Sequence, residues 1–210
     1  MRSQEEEIVN AYTHLVWSII SILAIFIPLF SEKYDFYDKV GLLIMAGLSA
    51  WAFFCSFLYH VSQHGKYKKR NRIVDKAAIY LMIIGCGVSL NMTNPNEMIA
   101  MIVPVLICIL GSLFIAYMCI SKNTSESFSV FTYVMLSWVS AIPATGLLGE
   151  TIYITTSTLW AIITGGIFYS IGVVFYSKDK LKWNHTWWHL CVMIGYIFHL
   201  YAQLKALYIL

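Results

Sequence analysis

The residues of this 210-residue chain that could do chemistry are few, and they are not scattered. His185 and His189 stand at i and i+4, one helical turn apart on one face, which is the spacing of helical zinc sites. Ser56 and His60 have the same spacing, so Ser56 looks the same way one turn deeper. Glu7, Asn10 and His14 follow i, i+3, i+7 on one stripe, and Asp75 follows a basic loop. Three neutral imidazoles with one open position meet the donor requirement of a catalytic zinc site. Asp75 could then hold or deprotonate the water, and Ser56 could hydrogen-bond it or a developing oxyanion.

Taken singly, each residue has a plainer explanation. An interfacial histidine such as His14 is often a polar tip or a headgroup contact, and an H-x-x-x-H pair alone is a short pattern. Asp75 could cap a helix, where negative charge suits the N-terminal dipole. His64, beside Gly65 in the basic loop, reads as solvated, and Glu150 as interfacial. His199 lies ten residues beyond His189, about 15 Å deeper at ~1.5 Å per residue. That is too far to share its metal, and it reads as a buried hydrogen bonder between helices. The signal is the ensemble.

The elements that must position these residues are membrane helices. The chain is 59% hydrophobic and 12% charged, with mean hydropathy +0.69, whereas soluble chains run about 45–50% apolar and about 25% charged. Seven apolar runs fall near His14–Phe30, Val40–Ser62, Asp75–Met92, Met98–Ile120, Phe128–Leu148, Ser157–Tyr176 and His185–Tyr208. Each is close to the roughly 20 residues that cross a bilayer. Lipid offers backbone groups no water partners, so spans of this length are helices. The expectation is an all-α bundle of seven transmembrane helices, one domain over residues 1–210, with the segment Glu7–Thr13 extending the first helix into the interface. A secreted disulfide scaffold, a nucleic-acid reader and a coiled coil are excluded. Cys55, Cys86, Cys108, Cys119 and Cys191 are odd in number, form no C-x-x-C pair and sit in apolar runs, as small buried hydrophobes do. Gly165-Gly166 with Ser170 suggests close helix packing, and Pro28, Pro104 and Pro143 suggest kinks or ends.

Seven spans put the termini on opposite sides. The side of the N-terminus then carries Arg2, Lys66, Lys68, Lys69, Arg70, Arg72, Lys76, Lys122, Lys178, Lys180 and Lys182, and the other side Lys33, Lys39 and Lys205. Eleven cations against three place the N-terminus in the cytoplasm and the C-terminus outside. The acidic start Glu5-Glu6-Glu7 is unlike the basic n-region of a secretory signal. On this topology His60, Asp75, His185, His189 and the Glu7 stripe share one depth, at the cytoplasmic level. Ionisable groups at membrane spans are costly and so mark functional sites.

E-x-x-N-x-x-T-H (Glu7, Asn10, Thr13, His14), S-x-x-x-H followed by an aspartate (Ser56, His60, Asp75) and H-x-x-x-H with a later histidine (His185, His189, His199) occur in order. They resemble the three motifs of the hemolysin III family, within the superfamily of progestin and adiponectin receptors, over nearly the whole chain. The short termini and tight loops look bacterial, which implies a bacterial plasma membrane. The resemblance implies a zinc ion held by His60, His185 and His189, with Asp75 as the water-holding carboxylate and Ser56 beside it. Glu7, Asn10 and His14 would tether helices by hydrogen bonds.

Three functions follow as expectations. The first is a zinc-dependent hydrolase of a membrane lipid amide or ester, the substrate class coming by analogy with the alkaline ceramidases of the wider superfamily. The second is a membrane-lytic or pore-forming protein, as the family's name implies. A pore should repeat polar residues along one helix face through the bilayer, and the ionisable groups here gather at one depth. The third is a receptor or sensor with a structural zinc, whose small cytoplasmic loops would need a protein partner.

Overall fold

The computed structural model describes residues 3–30, 32, 35–62, 65–92, 94, 96–121, 125–145, 154–178 and 180–206. Arg2, Lys33, His64, Lys122 and Glu150 lie outside them. Among the described residues are seven α-helices in chain order: α1 (Gln4–Leu29), α2 (Phe36–Val61), α3 (Lys66–Met92), α4 (Glu97–Ser121), α5 (Glu126–Ala141), α6 (Thr156–Tyr176) and α7 (Asn184–Ala206). A 3-10 turn, Ile142–Thr145, follows α5.

The helices begin where side chains can satisfy their first amides. Ser3 and Glu6 form a reciprocal capping box at α1, as do Asp35 and Asp38 at α2. Asn96, Ser125 and Thr155 accept from the first turns of α4, α5 and α6. Helix α1 starts at Gln4, so Glu7–Thr13 does extend it beyond the apolar run.

Helix α3 departs from the expected bounds. It starts at Lys66, nine residues before Asp75, because the basic stretch at its front coils as readily as the apolar one behind it. Asp75 is therefore an interior helix residue and not an N-cap.

Helices α1, α2, α3, α4 and α6 are long and apolar enough to cross a membrane. Helix α5 ends at Ala141 and passes into the turn containing Pro143; the end of the expected span Phe128–Leu148 lies outside the described residues. Helix α7 has the length but is diluted by the buried His185, His189 and Gln203 and the half-buried His199. The result is an integral membrane bundle of seven helices.

Helix α2 runs along α1 and α3, α6 along α7, and α4 lies outside α3. Helices α2 and α3 approach closely at glycines: a Cβ on Gly85 would meet the Met45 backbone at 3.2 Å, and one on Gly41 would meet Ser89 Oγ at 3.2 Å. Met45, Phe53, Met82, Met193 and Tyr196 form one core cluster between α2, α3 and α7. Buried polar groups hold the helices in register. Ser18 donates to the Ala50 carbonyl, Asn91 to those of Gly87 and Ser140, and Gln203 to that of Ser89. Cys55 and Cys191 are buried as expected, whereas Cys108 and Cys119 face outward from α4.

The Gly165-Gly166 pair does pack closely. A Cβ on Gly165 would meet the His199 ring at 2.3 Å, and one on Gly166 would meet the Trp138 ring at 2.9 Å. His199 thus packs between α7 and α6, with a hydrogen bond to the Ile162 backbone. Gly165→Ala is expected to destabilise the bundle by about 1–3 kcal/mol, the usual cost of overpacking. A melting temperature in detergent equal to that of wild type would show that α6 and α7 can separate freely.

Candidate metal centre

His60 is supplied by the last turn of α2, and His185 and His189 by the first two turns of α7. The entry to α7 is fixed from α1: the Trp183 amide, in a left-handed backbone conformation at φ 64°, donates to Glu6 Oε1 at 2.8 Å. One turn on, Thr186 donates to Asn10 Oδ1 at 2.7 Å. These two bonds hold α7 against α1 at the depth where its histidines meet His60.

All three histidines are buried, and one nitrogen from each lies within 4.8 Å of the others. His60 Nε2 and His185 Nε2 are 3.2 Å apart. Two ligands at the ~2.0–2.1 Å of a zinc–imidazole bond in tetrahedral geometry stand about 3.3 Å apart, so this spacing fits an ion between them. His60 Nδ1 is 2.9 Å from Glu7 Oε2, which also accepts from Lys68 Nζ at 2.6 Å. A carboxylate on Nδ1 puts the proton there and leaves Nε2 as the lone-pair nitrogen, the usual outer support of a metal-bound histidine. Glu7→Gln is expected to weaken metal binding at this cluster about 10- to 100-fold without unfolding the bundle. A competition titration against a chromophoric chelator measures this, and an unchanged affinity would remove Glu7 from the site.

The first stripe divides into two roles. Glu7 and Asn10 form the expected tethers, to α2 and α7. His14 does not: its ring stacks on that of His189, with centroids 3.6 Å apart and planes 7° from parallel. Its two nitrogens are buried without a hydrogen bond among the described residues. His14 backs the His189 ring from one face and stands outside the cluster of mutually close nitrogens formed by His60, His185 and His189.

Ser56, Asp75, His14, His185 and His189 all line one cavity between α2, α3, α5, α6 and α7, with His14 contributed by α1. Its volume is about 140 Å³. His60 stands behind this wall. The lining follows helical stripes, as with Arg72, Asp75, Lys76, Ile79, Ile83 and Cys86 on α3. On α5 it runs from Glu126 to Ala141, about 22 Å of helix at ~1.5 Å per residue. The surface is mostly apolar, with Met82, Val130, Val134 and Val173 along its length.

At the mouth, Glu126 Oε1 accepts from Arg72 Nη2 at 2.5 Å and Lys76 Nζ at 2.6 Å, and its Oε2 accepts from Tyr176 at 2.5 Å. Burial acts to raise the Glu126 carboxyl. The hydrogen bonds from Lys76 and Tyr176 and the charges of Lys76 and Arg72 outweigh it, and hold the group below the usual carboxylate range. Sequence reasoning used Arg72 and Lys76 only for topology. Their i, i+4 spacing, with Asp75 on the same stripe, was the available signal.

The family model described as Haemolysin-III related matches residues 2–200. The chain belongs to this family. Two relatives within it are similar along most of their length. A protein named Hemolysin-3 from Bacillus cereus is 30% identical over 199 residues, covering 91% of this chain and 87% of the relative. A Hemolysin-3 homolog from Bacillus subtilis (strain 168) is 27% identical over 193 residues, covering 91% and 89%. In this haemolysin-III-related chain the three-histidine cluster is a possible metal site at the end of the bundle that bears Lys68, Arg72 and Lys76.

Proposed function

We propose that this protein is a zinc-dependent hydrolase of a membrane lipid amide or ester, its metal held by His60, His185 and His189. The observation that carries the reading is a buried three-imidazole cluster beside a long, mostly apolar cavity that also presents Asp75 and Ser56. The donors are three neutral nitrogens, the set of a catalytic zinc site with one position left for reaction. Imidazoles also suit copper, nickel and iron; the absence of sulfur from the cluster argues against the closed thiolate set of a structural zinc site.

A zinc ion bound there supplies Lewis acidity and makes water a nucleophile near neutral pH. The chain's own groups do the rest. Asp75 accepts the proton of the attacking water and returns it to the leaving amine or alcohol, within an enclosure that strengthens each electrostatic contact. Ser56, buried at the same wall, donates a hydrogen bond to the oxygen on which charge develops. Glu7 holds the His60 ring, and His14 holds that of His189. The apolar wall takes the acyl chain while its polar bond reaches the histidines.

The test is hydrolysis of long-chain lipid amides and esters by purified protein, with and without a strong chelator and after zinc is restored. The reading expects turnover lost on chelation and recovered with zinc. Turnover by metal-free His60→Ala protein would sink it.

The printed name of the Bacillus cereus relative favours a second reading, membrane lysis. Dye release from liposomes that scales with protein and ignores chelator would support that reading against the first.

A further inference from the structure

The cluster at the cavity mouth has no part in the chemistry just described. Arg72 and Lys76, one turn apart on α3, and Tyr176, at the end of α6, all donate to the carboxylate of Glu126, the first residue of α5. Four side chains from three helices thus build a cradle of three donors around one oxyanion. Lys76 is further held by its helix, whose carbonyl at that position accepts from Tyr133 at 2.9 Å. The side chain of Lys76 is only 13% exposed, whereas Glu126 is 44% exposed and Arg72 54%. Lys76 is therefore anchored toward the cavity, whereas Arg72 and the Glu126 carboxylate are half-exposed and the carboxylate has room to swing out. Tyr176 also meets the His185 ring, centroid to centroid 5.7 Å, so the cradle adjoins the metal centre. Asp75 lies on the same stripe and faces the same cavity.

We propose that Arg72, Lys76 and Tyr176 form a binding site for the phosphate head of a single-chain amphiphile whose tail lies in the cavity, and that Glu126 occupies this site until the ligand displaces it. A phosphate monoester carries about −1.5 to −2 charge and three strong acceptor oxygens, against one charge and two oxygens on Glu126. Arginine binds phosphate through its planar fork, and lysine serves as a point charge. The phosphate thus offers one oxygen to each donor and balances both cations, which the carboxylate does not. The cavity below is mostly apolar and runs along about 22 Å of α5, the length of an extended lipid chain. This names the headgroup class for the reading above and rests on it only in sharing the cavity.

The test is binding of dodecyl phosphate to the full-length protein in nanodiscs of phosphatidylcholine. It is followed by tryptophan fluorescence, since Trp138 and Trp188 line the cavity. Wild type should bind it saturably, with dodecanol and inorganic phosphate each at least tenfold weaker. Arg72→Gln and Tyr176→Phe should weaken binding about tenfold or more, the phenylalanine keeping the ring contact with His185. Glu126→Gln should tighten binding about tenfold, because the competing charge is gone.

That opposite sign separates a ligand site from a clasp that merely ties α3, α5 and α6 together. A clasp predicts that Glu126→Gln and Arg72→Gln weaken binding alike, and this result would overturn the proposal. So would dodecanol binding as well as the phosphate, or inorganic phosphate binding as tightly, which would assign the cradle to a free anion. The readout needs no turnover. Failure here leaves the hydrolase reading standing, and a protein that binds but never hydrolyses removes only that reading.

Discussion

Asp75→Asn protein is expected to purify with its zinc and to lose turnover by about 10²- to 10⁴-fold, the range that a positioned proton acceptor contributes. Asparagine keeps the size of the side chain and its hydrogen-bonding reach, so the helix and the cavity wall should be undisturbed. What disappears is the ability to take a proton. Asp75 is an interior residue of α3, ahead of Ile79 and Ile83 on the stripe that lines the cavity with His185 and His189. The measurement is metal content and hydrolysis rate on the same preparation. A variant that retains both metal and rate would take Asp75 out of the mechanism. A variant that loses its metal would make Asp75 part of the ion's support.

His189→Ala is expected to lose both metal and turnover, and to lose the stabilisation that metal gives. His189 joins two contacts, the nitrogen cluster with His60 and His185 and the stack with His14. Removing it leaves two imidazoles, too few for a tight tetrahedral site, and takes away the ring that covers His14. A ligand present at about a thousand times its Kd stabilises the folded state by about 4 kcal/mol. Chelation should therefore lower the melting temperature of wild type and leave that of His189→Ala unchanged. A chelator-sensitive melt in the variant would mean that the ion sits elsewhere.

The architecture was legible because lipid leaves the chain few choices. Apolar runs of membrane-spanning length are helices, and the seven expected runs coincide with seven helices within a few residues at most ends. The clustering of His60, His185 and His189 was legible for a related reason: an imidazole at a membrane span is costly enough to call for partners. The reading failed where a polar stretch could coil without being apolar. Lys66–Arg72 carries no hydropathy signal, yet it opens α3 and moves Asp75 from a cap to an interior position. It failed again at His14, since spacing showed that Glu7, Asn10 and His14 share a stripe but not that the last would stack instead of hydrogen-bond. The mouth cluster was hidden because Glu126 is far in sequence from Arg72 and Lys76, and only the packing of α5 beside α3 brings them together.

The central claim is a metal ion on His60, His185 and His189. Elemental analysis of detergent-purified wild type, prepared without added metal beside His60→Ala and His189→Ala, tests it most directly. The account predicts about one zinc per wild-type chain and none in either variant. A folded wild type holding no stoichiometric metal would contradict it, and the three histidines would then serve packing alone.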